Sequence, residues 1–169
     1  RLLLRQDNAD LRLSEIGHEI GLIDEERYNS VLKKKEEIEK EIYRLEHTTV
    51  GGNAKVQEFL ERHESTLLKN GITLAELIKR PELSYDAVAE IDPARPDFSD
   101  AVREQVDINL KYEGYIKRQM NQVKQFKKLE GKRLSPDIDY MEIKGLRKEA
   151  MQKLNQLKPV NIGQASRIS

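Results

Sequence analysis

The stretch that decides the fold runs from Tyr28 to Leu45 and reads YNSVLKKKEEIEKEIYRL. Its apolar positions recur at alternating steps of three and four, and Lys and Glu fill most of the other positions. This spacing places the apolar side chains on one helix face and predicts a scaffold helix that packs along an antiparallel or coiled-coil-like seam. The positions of this seam are Tyr28, Val31, Lys35, Ile38, Ile42 and Leu45.

Local signals divide the rest of the chain into further amphipathic helices joined by Pro- and Gly-containing loops. Thr73 and Glu76 have the spacing of a capping box, in which each side chain accepts a hydrogen bond from the other residue's backbone N–H. We expect a long helix from about Ser99 to about Leu129 and a later one from Leu146 to Leu157, and nothing indicates a sheet. The sequence therefore predicts an all-α helical bundle.

Prolines indicate where this bundle divides. Three of the five, Pro81, Pro93 and Pro96, fall within sixteen residues, and proline disfavours helical geometry in the residue before it. We therefore predict an N-terminal helical subdomain at residues 1–80, a Pro-rich connector at 81–98 and a basic C-terminal helical subdomain at 99–169.

The composition excludes several classes of protein. The 169 residues include no cysteine, which rules out disulfides and thiolate metal sites. The longest apolar runs are far shorter than a membrane span, and the first residues lack the pattern of a signal peptide. Because the sequence opens at Arg1 rather than at Met, we expect a cytoplasmic fragment of a longer protein.

Charge is segregated along the chain. Residues 111–169 contain 14 Lys and Arg against 6 Asp and Glu, whereas residues 1–110 contain 16 against 24. Clustered cations favour polyanions, because each neutralised phosphate releases condensed counterions. The densest cluster, opposed only by Glu113 and Glu130, comprises Lys111, Lys117, Arg118, Lys124, Lys127, Lys128, Lys132 and Arg133.

Aromatic residues alternate with these cations, and unpaired bases can stack on such side chains. The aromatic residues are Tyr112, Tyr115 and Phe126. An alternative is equally open for the cations, namely a solvated helix face that keeps the protein soluble. For Tyr112 and Tyr115 the alternative is packing against neighbouring helices, which is the usual role of side chains at helical spacing.

Catalytic and cofactor motifs are absent from the sequence. The segment from Gly51 to Lys55 lacks the spacing of a phosphate loop, and the three histidines share no ligand spacing. Asp137, Asp139 and Glu142 could bind a divalent ion, but so sparse a trio usually caps a loop. We therefore predict no catalytic, cofactor-binding or metal site within these residues.

Three stretches, in order, carry a resemblance to a known family. The first reads RLLLRQDNADLRL from Arg1 to Leu13 and is followed by Ile16-Gly17 and Gly21-Leu22. The second reads KYEGYI from Lys111 to Ile116 and is followed by Arg118-Gln119. The third comprises Pro136, Asp139-Tyr140, Gly145-Leu146, Glu149, Lys153-Leu154, Pro159 and IGQASRI from Ile162 to Ile168. Together they strongly resemble the C-terminal helical part of the flavin-binding tRNA uridine 5-carboxymethylaminomethyl modification enzymes, also called the glucose-inhibited division protein A family.

The resemblance implies a parent enzyme that uses FAD, NADH and a folate one-carbon donor to modify the wobble uridine of certain tRNAs. It also implies a homodimer that works with a GTPase partner, and C-terminal helices that help to engage both the partner and tRNA. The family's dinucleotide fold would precede Arg1, where Leu2, Leu3 and Leu4 would pack against it, and a terminal helix would follow Ser169. FAD binding and catalysis would then lie outside this fragment. The candidate tRNA or partner contacts are Lys111, Tyr112, Tyr115, Lys117, Arg118, Gln119, Lys124, Lys128, Gln164 and Arg167.

Two other interpretations are open, and one residue differs from the family's usual sequence. A coiled-coil-like dimerisation scaffold without RNA binding would explain the seam, but neither the charge segregation nor the three stretches. A hairpin formed by Leu146–Ile168 could instead grip a nucleic-acid backbone through the amides of Ile162 and Gly163. The departure is Arg147, where the family usually has a serine that caps the following helix.

Overall fold

The computed structural model describes residues 3–168. Arg1, Leu2 and Ser169 lie outside the described residues, and so does the expected packing of Leu2 against a preceding domain. The helices are α1 (Ala9–Glu19), α2 (Glu25–His47), α3 (Ala54–Arg62), α4 (Leu74–Ile78), α5 (Tyr85–Val88), α6 (Asp100–Glu130), α7 (Lys148–Leu157) and α8 (Ile162–Ala165). Short 3-10 turns cover Ala89–Ile91 and Tyr140–Glu142. The predicted all-α class is confirmed.

Local capping chemistry sets the helix starts. The Asp24 side chain accepts a 2.8 Å hydrogen bond from the Arg27 amide at the start of α2. Thr73 and Glu76 form the predicted capping box at the start of α4. Such bonds satisfy N–H groups that have no partner within the helix. They form between near neighbours in sequence, which is why these starts were predictable.

A two-stranded sheet is the feature that the sequence did not predict. Strand β1 (Thr49–Val50) pairs antiparallel with β2 (Ile72–Thr73), and Thr49 lies opposite Thr73. The Leu74 amide extends the pairing with a 2.9 Å hydrogen bond to the Thr48 carbonyl. Strands of two residues are too short to show the alternation that reveals a strand in sequence.

The chain forms two compact units, the first ending at Gly114 and the second beginning at Tyr115. The core of the first unit is built mainly from α2 to α6, and Phe59, Leu60, Leu74 and Leu77 are fully buried within it. Leu83 and Tyr85, from the predicted connector, also contribute buried side chains. The boundaries that we drew at residues 80 and 98 stay predictions.

The seam of α2 is rotated from its predicted position. Ile38 and Leu45 are buried as expected, but Lys35 is exposed and Glu41 is only 1% exposed. Arg44 compensates this burial with a bidentate contact to Glu41, at 2.7 and 2.8 Å. A buried carboxylate is tolerated only where it is paired. The heptad pattern missed this pair because it counts apolar positions alone.

The Glu41–Arg44 pair extends into a buried polar cluster. Arg44 also contacts the buried Asp92 carboxylate at 2.5 Å. The Tyr85 hydroxyl donates a 2.9 Å hydrogen bond to Glu41, and the guanidinium of Arg95 lies 4.1 Å from the centre of the Tyr85 ring. Burial, and then the bond to Glu41, hold the pKa of Tyr85 well above its usual value. The cluster links α2 to the segment that precedes α6.

The second unit is smaller and relies on close backbone contacts. The Leu134 amide donates to the Val160 carbonyl, and the Ile162 amide to the Lys132 carbonyl, each at 3.0 Å. Gly163 lies against Glu130, because a Cβ at this glycine would fall 2.6 Å from Glu130 Cγ and 3.1 Å from its backbone nitrogen. This approach fixes α8 against the end of α6.

None of the helices in residues 3–168 combines the length and the apolar composition that a bilayer crossing requires.

Candidate nucleic-acid interface

Three exposed lysines form one face of α6 in the second unit, and we call them the basic face: Lys117, Lys124 and Lys128. At 100° per residue they fall within a narrow sector of the helix, and they span roughly 16 Å along its axis. Glu130 is the only acidic residue between Tyr115 and Gly131. From Tyr115 to Leu129 the helix therefore carries cations and no acidic side chain, and Glu113, one turn before Lys117, pairs with Lys79.

The electrostatics of this face follow from its lack of internal partners. Among the described residues, the ion pairs of the second unit use Lys153, Arg167 and their acidic partners, and none involves the basic face. Arg118 and Lys127 are likewise exposed and outside these pairs. Cations that the fold does not neutralise attract polyanions, and screening weakens that attraction as salt rises.

Lys111 was predicted to contact tRNA or a partner, and within this chain it forms an ion pair. Its ammonium lies 3.2 Å from Asp107, whose carboxylate also accepts a 2.7 Å hydrogen bond from the Tyr85 amide. Lys111 therefore steadies the start of α5 within the first unit. The spacing of four residues between Asp107 and Lys111 is the sequence signal that indicates such a pair.

Gln164 and Arg167 also have structural partners. The side-chain oxygen of Gln164 accepts a 2.9 Å hydrogen bond from the Val160 amide, and Arg167 pairs with Glu130 at 2.8 Å. Both contacts hold the α8 segment in place. Within the second unit, the structure therefore brings together Lys117, Lys124 and Lys128, with Arg118 at their edge, as cations open to solvent.

The aromatic residues do not share the basic face. Tyr115 is 61% exposed and Phe126 is 48% exposed. Tyr115 lies two residues before Lys117, and Phe126 lies two residues before Lys128. Two residues correspond to about 200° around the helix, so each aromatic side chain points away from the lysine that follows it. A phosphate held by the basic face and a base stacked on Tyr115 or Phe126 would therefore lie on different sides of α6. Tyr112 is 45% exposed as well, so neither tyrosine is buried in the core of this chain.

Within the acidic trio, Asp139 has the loop-capping role that the sparse spacing indicated. Asp139 accepts 2.9 Å hydrogen bonds from the Asn155 side chain and from the Met141 amide, and these bonds lower its pKa. In the range 3–168, no group of three acidic or histidine side chains is placed to hold a metal ion.

The hairpin grip is not supported by the local geometry. The Ile162 amide already donates to the Lys132 carbonyl, and Gly163 is buried against Glu130. The amides that would hold a phosphate are thus unavailable.

At the start of α7, Arg147 occupies the N-cap without a side-chain hydrogen bond, as expected from the missing serine.

Comparisons with known proteins agree with this architecture. Residues 25–120 match the family described as tRNA modifying enzyme MnmG/GidA C-terminal helical domain, and residues 122–169 match the C-terminal helical bundle of the same enzymes. The tRNA uridine 5-carboxymethylaminomethyl modification enzyme MnmG of Caldicellulosiruptor saccharolyticus is 58% identical over 169 residues. Its counterpart in Lachnoclostridium phytofermentans is 57% identical over the same length. In both cases the match covers 100% of this chain and 27% of the relative.

Solved structures give the same result. Aquifex aeolicus GidA in its form II crystal matches 98% of this chain with 37% sequence identity and a TM-score of 0.67, using 25% of its own length. The form I crystal gives 38% identity and a TM-score of 0.64. Three findings agree, namely the helical fold, the two consecutive domain matches and the relatives that align along the whole length of this chain. Together they show that this chain belongs to the MnmG/GidA family and corresponds to its C-terminal helical part.

Proposed function

We propose that this chain is the tRNA- and partner-engaging helical part of an MnmG enzyme, and that the basic face of α6 contacts tRNA phosphates. The observation that carries the proposal is a set of exposed lysines that form no ion pair with the described acidic side chains of the second unit, namely Lys117, Lys124 and Lys128. Lysine acts towards phosphate as a point charge on a flexible stem. Such contacts position an RNA without reading its sequence.

The chemistry of the reaction belongs to other parts of the enzyme in this proposal. The sequence contains no Gly-x-Gly-x-x-Gly turn to hold a dinucleotide pyrophosphate on a helix N-terminus. Its residues therefore do not fit FAD or NADH, and no reaction step is assigned to them. The chain would instead hold the tRNA so that the wobble uridine reaches a centre formed elsewhere in a cytoplasmic, homodimeric enzyme.

The opposite face of α6 suits a protein partner better than RNA phosphate. Tyr115, Val123 and Phe126 are 61%, 37% and 48% exposed, and they share one side of the helix by their spacing. Exposed aromatic side chains of this kind are enriched at protein–protein contacts. We assign this face to the GTPase partner, so that the two ligands occupy different sides of α6.

Charge reversal tests the tRNA assignment. The variant Lys117→Glu/Lys124→Glu/Lys128→Glu should bind tRNA more weakly across different tRNAs. The slope of log affinity against log salt concentration should become less steep by about 0.7 to 0.9 per lost phosphate contact. The matched control, Lys35→Glu/Lys55→Glu/Lys69→Glu, makes the same charge change at exposed lysines of the first unit. If both variants lose the same affinity and slope, only net charge matters and the assignment is wrong.

A further inference from the structure

Helix α1 has two apolar sides, and among residues 3–168 only one of them packs against the rest of the chain. Leu11 packs against the core of the first unit. Leu13, Ile16 and Ile20 lie on the opposite side of the helix by their spacing, and they are 53%, 54% and 65% exposed. No described residue of α1 is buried. The helix therefore presents an apolar face outward.

Polar contacts hold α1 in place from the inner side. Asp10 pairs with Lys34 of α2 at 2.9 Å. Just before the helix, Asp7 accepts a 2.6 Å hydrogen bond from Gln105 of α6. These contacts fix the orientation of α1, so the outward face does not result from a loosely attached helix.

The outward face continues into the turn that follows α1. Leu22 is 76% exposed, and its amide donates a 2.7 Å hydrogen bond to the Gly17 carbonyl. Together with Leu13, Ile16 and Ile20 it lines a shallow cavity of about 420 Å³. We call these four residues the α1 apolar face.

The size of this face favours an occupant from the same polypeptide. Four exposed aliphatic side chains present on the order of a few hundred Å², whereas a stable interface between separate molecules needs roughly 800 Å² on each partner. A tethered segment binds a smaller surface, because covalent linkage supplies a high effective concentration.

The family matches indicate which segment this is. The helical-domain match begins at residue 25, after α1, whereas the MnmG relatives align from residue 1 and are nearly four times as long as this chain. Helix α1 thus lies just ahead of the domain that the family defines as C-terminal. We propose that the α1 apolar face docks against an apolar surface of the part of the MnmG polypeptide that precedes the C-terminal helical domain.

Hydrogen exchange in a full-length protein tests this docking. The test protein is a fusion in which this chain follows the preceding part of the Caldicellulosiruptor saccharolyticus relative. The variant of this fusion is Leu13→Ser/Ile16→Ser/Ile20→Ser. Amide exchange over residues 13–20 should accelerate at least tenfold in the variant, while exchange in the core of α6 stays unchanged. The control Leu32→Ser/Leu67→Ser/Leu157→Ser removes aliphatic side chains that are 43%, 44% and 57% exposed, and it should leave α1 protected.

The same measurement on the 169-residue chain alone separates the possible occupants. If α1 exchanges equally fast in the full-length protein and in the chain alone, nothing preceding the domain covers it and the proposal is wrong. If the chain alone protects α1 in a concentration-dependent way that the triple Ser variant abolishes, a second copy is the occupant, and the proposal is equally overturned. Neither result bears on the tRNA assignment of α6.

Discussion

The side-chain amide of Gln105 donates a 2.6 Å hydrogen bond to the carboxylate of Asp7, which lies 98 residues earlier in the sequence. Gln105 is buried on α6, and the same carboxylate is held by the Arg5 guanidinium at 3.0 and 3.1 Å. The segment that precedes α1 is thus fastened to the longest helix by a charge-assisted contact.

Removing the donor should release this segment. In Gln105→Leu the volume is nearly kept, but the Asp7 carboxylate loses a partner, and we expect a loss of about 1–3 kcal/mol in the free energy of unfolding. Amide exchange over residues 5–12 should accelerate more than exchange in α3. A uniform change in both segments would show that Gln105 matters only for packing.

Acid should weaken the same contact. The hydrogen bond from Arg5, assisted by Gln105, holds the pKa of Asp7 below its usual value. The stabilisation is therefore fully present above the unfolded value of about 4 and is lost as pH falls through the lower folded value. Asp7→Asn should show a smaller drop in unfolding free energy between pH 5 and pH 2 than the parent chain. Equal drops would contradict this role.

Arg44 should be far more costly to remove than an exposed arginine. Arg44→Met leaves the buried Glu41 and Asp92 carboxylates without their cation, and we expect a loss of about 3–5 kcal/mol. The control Arg62→Met breaks an exposed pair with Glu90, which should cost less than about 1 kcal/mol. Denaturant unfolding at neutral pH measures both, and similar losses would mean that the cluster adds little.

Two glycines on or beside α6 should respond to alanine in opposite directions. Gly163→Ala brings a methyl group against Glu130, including its backbone, and should cost about 1–3 kcal/mol. Gly114→Ala has open space around the new Cβ in the middle of α6, and it should add about 0.5–1 kcal/mol. Thermal melts of the two variants check the contrast. Stabilisation by both would show that α8 does not depend on close approach.

The exposed aromatics should matter for binding rather than for stability. Tyr115→Ala and Phe126→Ala truncate half-exposed side chains, and we expect each to change the unfolding free energy by less than about 1 kcal/mol. Phe59→Ala, at a fully buried position, should cost about 3–5 kcal/mol. Binding of the purified GTPase partner should fall in the first two variants while tRNA affinity holds. A large stability loss in either would place it in the core.

Elements governed by neighbouring residues were predictable from the sequence, and those governed by distant ones were not. Asp24, Thr73 and Glu76 act within three or four residues of themselves, so their helix starts followed from sequence. The burial of Glu41 depends on Tyr85, 44 residues away, and no periodicity reveals such a contact. For this reason the seam of α2 was placed on a neighbouring face.

The candidate site divides in the same way. The basic face was visible because charge and helical spacing are properties of the sequence itself. The pairing of Arg167 with Glu130 depends on how α8 returns to the end of α6, and no spacing in the sequence reveals it. The separation of aromatics from lysines, in contrast, follows from helical spacing and was available from the sequence. The lysines therefore remain candidates, whereas Gln164 and Arg167 now have structural partners.

The buried cluster around Arg44 has a consequence for how the chain avoids misassembly. Helix α2 carries a repetitive Lys/Glu surface, and a helix of that kind can slide by one turn against its neighbours with little loss of apolar contact. Arg44 moves together with Glu41, because both lie on α2, but only one alignment brings its guanidinium to Asp92. Any other alignment leaves the buried Asp92 carboxylate without its cation. We expect the cluster to disfavour shifted packings during folding, because each of them has a higher free energy than the native alignment.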